Sequence, residues 1–247
     1  MAKFVDFSPT LMRPKYVWEL PVRYYHWINA ISIVVLAATG FVIANPPAIQ
    51  SAAEASQSYW FGWVRFIHFA FAYVFLINFL VRIYWGFVGN RYADWRNFIP
   101  YSKKHWKDMW EVIKIDIFQV KNAENPRLGH NALASFTYFL VFIAFIIQVF
   151  TGFGLYAAAS NSWFASLFKW VPAVFGGDIT TRVVHHWMMW FFILFALIHV
   201  YLVAYHDYIE RNGVVSSMIG GWKFINKDKV EQELEYETKK KNKTKAN

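Results

Sequence analysis

The chain contains no cysteine. Disulfides, cysteine-ligated iron–sulfur clusters and thioether-linked heme are thereby excluded. Charge is also scarce, at 17% of 247 residues, and it is missing from long stretches. No charged side chain stands between Trp27 and Ala53, Phe66 and Val81, Asn131 and Phe168, or Val183 and Tyr205. A soluble domain does not normally carry several such runs. Each is long enough, or nearly so, to cross a hydrocarbon core as a helix, the second with Arg82 close to its end. The first 22 residues are polar and charged, so no cleavable signal peptide is expected.

The formal charge of +9 falls in three places. Lys3, Arg13, Lys15 and Arg23 lie near the start. Arg91, Arg96, Lys103, Lys104, Lys107, Lys114, Lys121 and Arg127 lie in the middle, and a lysine-rich tail closes the chain. The connections from Asn45 to Trp60 and from Ala157 to Thr180 hold one basic residue between them, Lys169. Cationic loops stay in the cytoplasm, so both termini and the middle loop are expected inside the inner membrane. The charge reads as topology, and no nucleic-acid partner is implied.

Four transmembrane helices are expected, I over 21–44, II over 60–88, III over 130–158 and IV over 180–208. Residues 1–20 form a cytoplasmic tail, 45–59 and 159–179 periplasmic loops, and 89–129 a basic cytoplasmic loop. Residues 209–247 form a second cytoplasmic tail whose Glu-block and Lys-block end is expected to be disordered. Pro21 suits the first turn of helix I, where its missing N–H costs nothing. In the middle loop Trp106, Trp110, Ile113 and Ile117 share one face, ringed by Lys103, Lys104, Lys107 and Lys114. That pattern fits a helix lying on the inner membrane surface, or equally a solvent-side helix packed on the bundle. No internal repeat is evident.

His185 and His199 sit fourteen residues apart on helix IV. Their side chains point within about 40° of each other, separated by roughly 21 Å of rise, which is most of a bilayer core. Ionisable residues within a membrane are costly and usually functional. His26 lies near the inner end of helix I and His68 toward the outer end of helix II. Depth therefore pairs His68 with His185 and His26 with His199. Four imidazoles suit the axial positions of two b hemes, with no open coordination site on either iron. The fold class expected is all-α: an integral membrane four-helix bundle binding two b hemes, both termini cytoplasmic.

Arg23, Arg65 and Arg182 each stand three residues before one of these histidines, on the same helix face and on its water side. Heme propionates should point there and pair with guanidinium. The plainer reading, interfacial anchors, accounts for any one of them but less well for three at one offset. Arg82, fourteen residues after His68, is placed for the inner propionates. Gly40, fourteen after His26, leaves room for a close approach of the outer heme to the backbone. His186 is about 220° out of phase with His199 and is expected to face another helix or a partner subunit. His105 reads as solvated. His130 and His206 read as ordinary helix-end residues or, with Tyr201, as parts of a quinone site at the inner face.

The segment Arg23-Tyr24-Tyr25-His26-Trp27-Ile28, ending at Thr39-Gly40, resembles the first signature of the b-type cytochrome subunit of membrane-bound nickel–iron uptake hydrogenases. Arg182-Val183-Val184-His185-His186-Trp187, followed by His199-Val200-Tyr201, resembles the second. Ala38 departs mildly, standing where a larger aliphatic residue is usual. The resemblance implies a subunit not catalytic for hydrogen itself. It would anchor a periplasmic hydrogenase, small and large subunits, through the small subunit's terminal helix. Electrons would pass from that subunit's iron–sulfur chain through two hemes to menaquinone or ubiquinone near the cytoplasmic side. A cytochrome b of formate dehydrogenase, thiosulfate reductase or a b561-like reductase shares the plan; the basic middle loop and the His185-His186 doublet favour the hydrogenase subunit. A cofactor-free transporter or structural membrane protein is the reading from another class, against which stands the lack of repeats or midplane-broken helices.

Overall fold

The computed structural model describes residues 12–47, 59–97, 106, 110, 132–210 and 212–227. In order these form strand β1 (Met12–Tyr16), helices α1 (Leu20–Ala44) and α2 (Trp60–Val88), a 3-10 turn at Trp95–Asn97, and α3 (Ala132–Ala157). There follow short α4 (Trp163–Ser166) and α5 (Val171–Val174), long α6 (Asp178–Glu210), α7 (Val214–Gly220) and strand β2 (Trp222–Asn226). Among the described residues four helices, α1, α2, α3 and α6, are long and apolar enough to cross a membrane. α1 ends at Ala44: the Asn45 N–H still donates to the Phe41 carbonyl (3.0 Å), and Pro46 and Pro47 then supply no N–H donor.

The chain divides into two units. The first takes residues 24–84 and 140–199, the bulk of the long helices. Its core is aromatic: Phe145 meets Phe75 at 4.9 Å, Phe192 at 5.0 Å and Phe79 at 5.8 Å between ring centroids. Such rings bury large area and pack edge-on without needing hydrogen bonds. Polar groups are turned inward, as in lipid they must be. Asn78 Nδ2 of α2 donates to the Tyr25 carbonyl (3.0 Å) and to Asn29 Oδ1 (3.4 Å) of α1. Meanwhile Ile31, Val34, Ile77, Leu80, Leu194 and Leu197 are exposed, an outer surface made for lipid.

The second unit takes the described residues of 1–23, 85–139 and 200–247. Here β1 pairs antiparallel with β2, from Met12 opposite Asn226 to Tyr16 opposite Trp222. Glu19 accepts from Trp85 Nε1 (2.9 Å) and from the Asn90 N–H (2.8 Å). Trp18 Nε1 donates to Ser217 Oγ (3.2 Å). Gly221 has φ +87°, and a Cβ there would lie 2.8 Å from the Trp18 carbonyl oxygen, so only glycine fits.

Residues 12–18 and 222–226, which lie within the two expected tails, pair and pack. Pro14 is tolerated in β1 because in a two-stranded sheet both strands are edges. The loop 159–179 also carries α4 and α5. The amphipathic segment of the middle loop lies outside the described residues except Trp106 and Trp110. Both are exposed, and Trp106 packs 5.5 Å from Phe136.

Candidate functional site

His26 of α1 and His199 of α6 face each other with ring centroids 6.2 Å apart and planes 55° apart. An imidazole nitrogen binds a metal at roughly 2.0–2.1 Å. Adding the distance from nitrogen to ring centre puts two imidazoles on opposite sides of one metal about 6 Å apart, by the same measure. The pair has that spacing. Phe195, one turn before His199, stacks on its ring at 5.5 Å and 18°, holding its plane. His26 Nδ1 is buried and has no hydrogen-bond partner among the described residues.

His68 of α2 and His185 of α6 lie close enough to interact electrostatically. Each rests against a threonine on a neighbouring helix. Thr39 Oγ1 is 2.9 Å from His68 Nδ1, and Thr151 Oγ1 is 2.9 Å from His185 Nδ1. Gln148 Nε2 stands 3.3 Å from His185 Nε2, and its own Oε1 is buried without a partner among the described residues. Glycine follows each threonine. A Cβ at Gly40 would come 3.5 Å from His68 Cε1 and 3.7 Å from Met189 Sδ; one at Gly152 would come 3.0 Å from His185 Cε1. Gly40 thus stands against an imidazole and a thioether. Thr151, Gly152 and Gln148 were not identified from sequence. The signal available was the tripeptide Thr-Gly-Phe, present at 39–41 and again at 151–153.

His186 accepts from Trp190 Nε1 (3.3 Å) and meets Phe41 of α1 edge-on at 6.0 Å. Arg23 donates to the Ile219 carbonyl, and its Nε is buried without a partner among the described residues. Arg65 is exposed, 5.8 Å from the Phe69 ring centre, and Arg182 is exposed. Arg82 is buried and lies 6.0 Å over the Tyr25 ring. Tyr201 is exposed and stacks on Tyr205 at 6.2 Å; Tyr205 in turn meets His206 at 5.6 Å. His105 and His130 lie outside the described residues.

Residues 17–221 match the family described as prokaryotic cytochrome b561. The chain belongs to that family. It is 39% identical over 219 residues to a probable Ni/Fe-hydrogenase B-type cytochrome subunit of Azotobacter chroococcum, covering 87% of this chain and 90% of the relative. A protein of the same description in Cupriavidus necator is 37% identical over 86% of this chain and 88% of its own length. The probable Ni/Fe-hydrogenase 1 B-type cytochrome subunit of Escherichia coli K12 is 33% identical over 84% and 90%. This cytochrome b561 is therefore a multi-pass membrane protein that binds heme b and serves electron transport. The residues present fit such a group. Imidazoles converge between helices, His26 and His199 at a metal-bridging separation, and glycine leaves the imidazole edge clear at Gly152.

Proposed function

We propose that this cytochrome b561 carries electrons from a periplasmic Ni/Fe hydrogenase to the membrane quinone pool. In this reading His26 with His199, and His68 with His185, would hold two b hemes through their imidazoles. The observation that supports it best is the 6.2 Å pairing of His26 and His199 across two helices, while the same α6 delivers His185 fourteen residues away. Heme iron held by two imidazoles exchanges single electrons and keeps no open position for other chemistry. Hydrogen itself is oxidised by the partner, whose small subunit docks through its terminal helix beside the large subunit; the names of the relatives support that partner.

The chain's own residues do the rest. His185 would hold heme through Nε2, the nitrogen that Gln148 Nε2 approaches at 3.3 Å. Arg65 and Arg182 pair with propionates at the water side of their histidines, Arg82 from within the bundle, and Arg23 through the N–H groups not committed to Ile219. Gly152 keeps space beside His185. The transmembrane limits are 21–44, 60–88, 130–158 and 180–208, with the connections 45–59 and 159–179 periplasmic and the basic segment 89–129 and both termini cytoplasmic. Quinone, menaquinone or ubiquinone, is reduced at the cytoplasmic end near Tyr201, His206 and His130, where imidazole relays protons.

Proton release outside and uptake inside would make turnover electrogenic, each charge working against roughly 2.3 kcal/mol per 100 mV. The test is the whole hydrogenase complex in proteoliposomes with a potential-sensitive dye. Hydrogen oxidation by a menaquinone analogue should turn the interior negative. His206→Ala should slow quinone turnover while hydrogen still reduces the hemes. Turnover without a potential would put quinone on the outer side and overturn the site.

A further inference from the structure

The two threonines against His68 and His185 are built alike. Thr39 Oγ1 donates to the Val35 carbonyl at 2.7 Å, four residues back, and Thr151 Oγ1 donates to the Ile147 carbonyl at 2.7 Å. Each is also within 3.2–3.3 Å of the carbonyl three residues back, Leu36 for Thr39 and Gln148 for Thr151. A hydroxyl has one proton, and here the helix takes it. What Oγ1 can offer the imidazole 2.9 Å away is a lone pair, so the proton of that hydrogen bond belongs to Nδ1. A neutral imidazole carrying its proton on Nδ1 has its free lone pair on Nε2. At His185 a separate contact agrees: the Gln148 amide N–H points at Nε2, which must accept.

We propose that Thr39 and Thr151 are positioning residues that fix His68 and His185 as Nδ1–H tautomers, with Nε2 presented for ligation. The proposal rests on the reading that these two histidines bind heme iron. Each threonine belongs to a Thr-Gly-Phe tripeptide, on α1 facing α2 and on α3 facing α6. The hydroxyl orients the ring, and at Gly152 the missing side chain leaves room for the His185 Cε1 edge. Partners of this kind on the second ring nitrogen raise the basicity of a metal-bound imidazole and fix its plane. His26 has no such partner: its Nδ1 is buried and unbonded among the described residues. The seats therefore act on the His68–His185 pair and not on His26.

The test uses the full-length cytochrome purified with its heme, comparing Thr39→Val, Thr151→Val and the corresponding Ser variants. Valine keeps the shape and removes the hydroxyl acceptor, leaving the Leu36 and Gln148 carbonyls that also reach these imidazoles; serine restores the hydroxyl. Redox titration and the low-temperature ferric EPR signal are read, together with heme bound per chain. A less basic imidazole stabilises ferric iron less, so each Val variant should raise one midpoint potential. It should be the potential missing from His68→Ala, and that component should bind heme about tenfold or more weakly. The Ser variants should return both toward the native values. Val variants with native potentials and EPR signals overturn the proposal, as do Ser variants as impaired as Val, which would make the role one of packing alone. If His68→Ala and His185→Ala keep the full heme content and native spectrum, the ligand reading itself has failed, a result the threonine variants cannot mimic.

Discussion

The imidazoles of His26 and His199 stand 6.2 Å apart, brought together from the first and the last of the long helices. The neighbouring His186 has its Nε2 in contact with Trp190 Nε1 instead. If His26 and His199 share one iron, His199→Met should keep the heme and raise its midpoint potential, since thioether donates less to ferric iron than imidazole does. Redox titration checks this; an unmoved potential would take His199 out of the coordination sphere.

The two glycines beside the other pair should differ in tolerance. A methyl at Gly152 would press to 3.0 Å on His185 Cε1, whereas at Gly40 it would find ordinary contacts of 3.5 and 3.7 Å. Gly152→Ala should therefore displace the ring and lower the heme bound per chain, and Gly40→Ala should leave it within error of the native value. Pyridine-hemochrome quantitation against protein decides. Equal losses in both variants would mean that something other than the imidazole edge governs the space.

The long helices were legible because lipid imposes one rule on every residue of a span, and a run without charge such as Asn131–Phe168 states it locally. The fourteen-residue spacing of His185 and His199 was legible for the same reason, being helical geometry on one element. What was not legible depends on pairing between distant segments. β1 is five residues containing a proline, and its partner β2 lies at the far end of the chain. Thr151, Gly152 and Gln148 look like ordinary members of an apolar helix until α6 brings His185 against them. Arg23 donates one N–H to the Ile219 carbonyl, a contact between distant segments that its spacing to His26 does not state.

Arg65 and Arg182 are exposed, with guanidinium groups available to carboxylates. Arg65→Leu and Arg182→Leu should each lower the midpoint potential of the heme ligated by His68 and His185, because removing a cation disfavours the more electron-rich reduced state. Potentials unchanged in both would reduce these arginines to membrane anchors.

Glu19 ties the start of α1 to Trp85 and Asn90. Glu19→Ala removes both bonds, and hydrogen bonds to a charged acceptor contribute about 1.5–3 kcal/mol. The variant should melt at a lower temperature in detergent while its heme spectrum stays native. A native Tm would show that the clasp adds little to stability.

Heme b counted per chain in single histidine variants tests most directly whether four histidines hold two hemes. The native cytochrome should hold two. His26→Ala and His199→Ala should each lose the same spectral component, His68→Ala and His185→Ala the other, and His186→Ala should retain both. Loss of heme in His186→Ala with full pigment in His185→Ala, or one component lost jointly by His26→Ala and His68→Ala, would contradict the assignment.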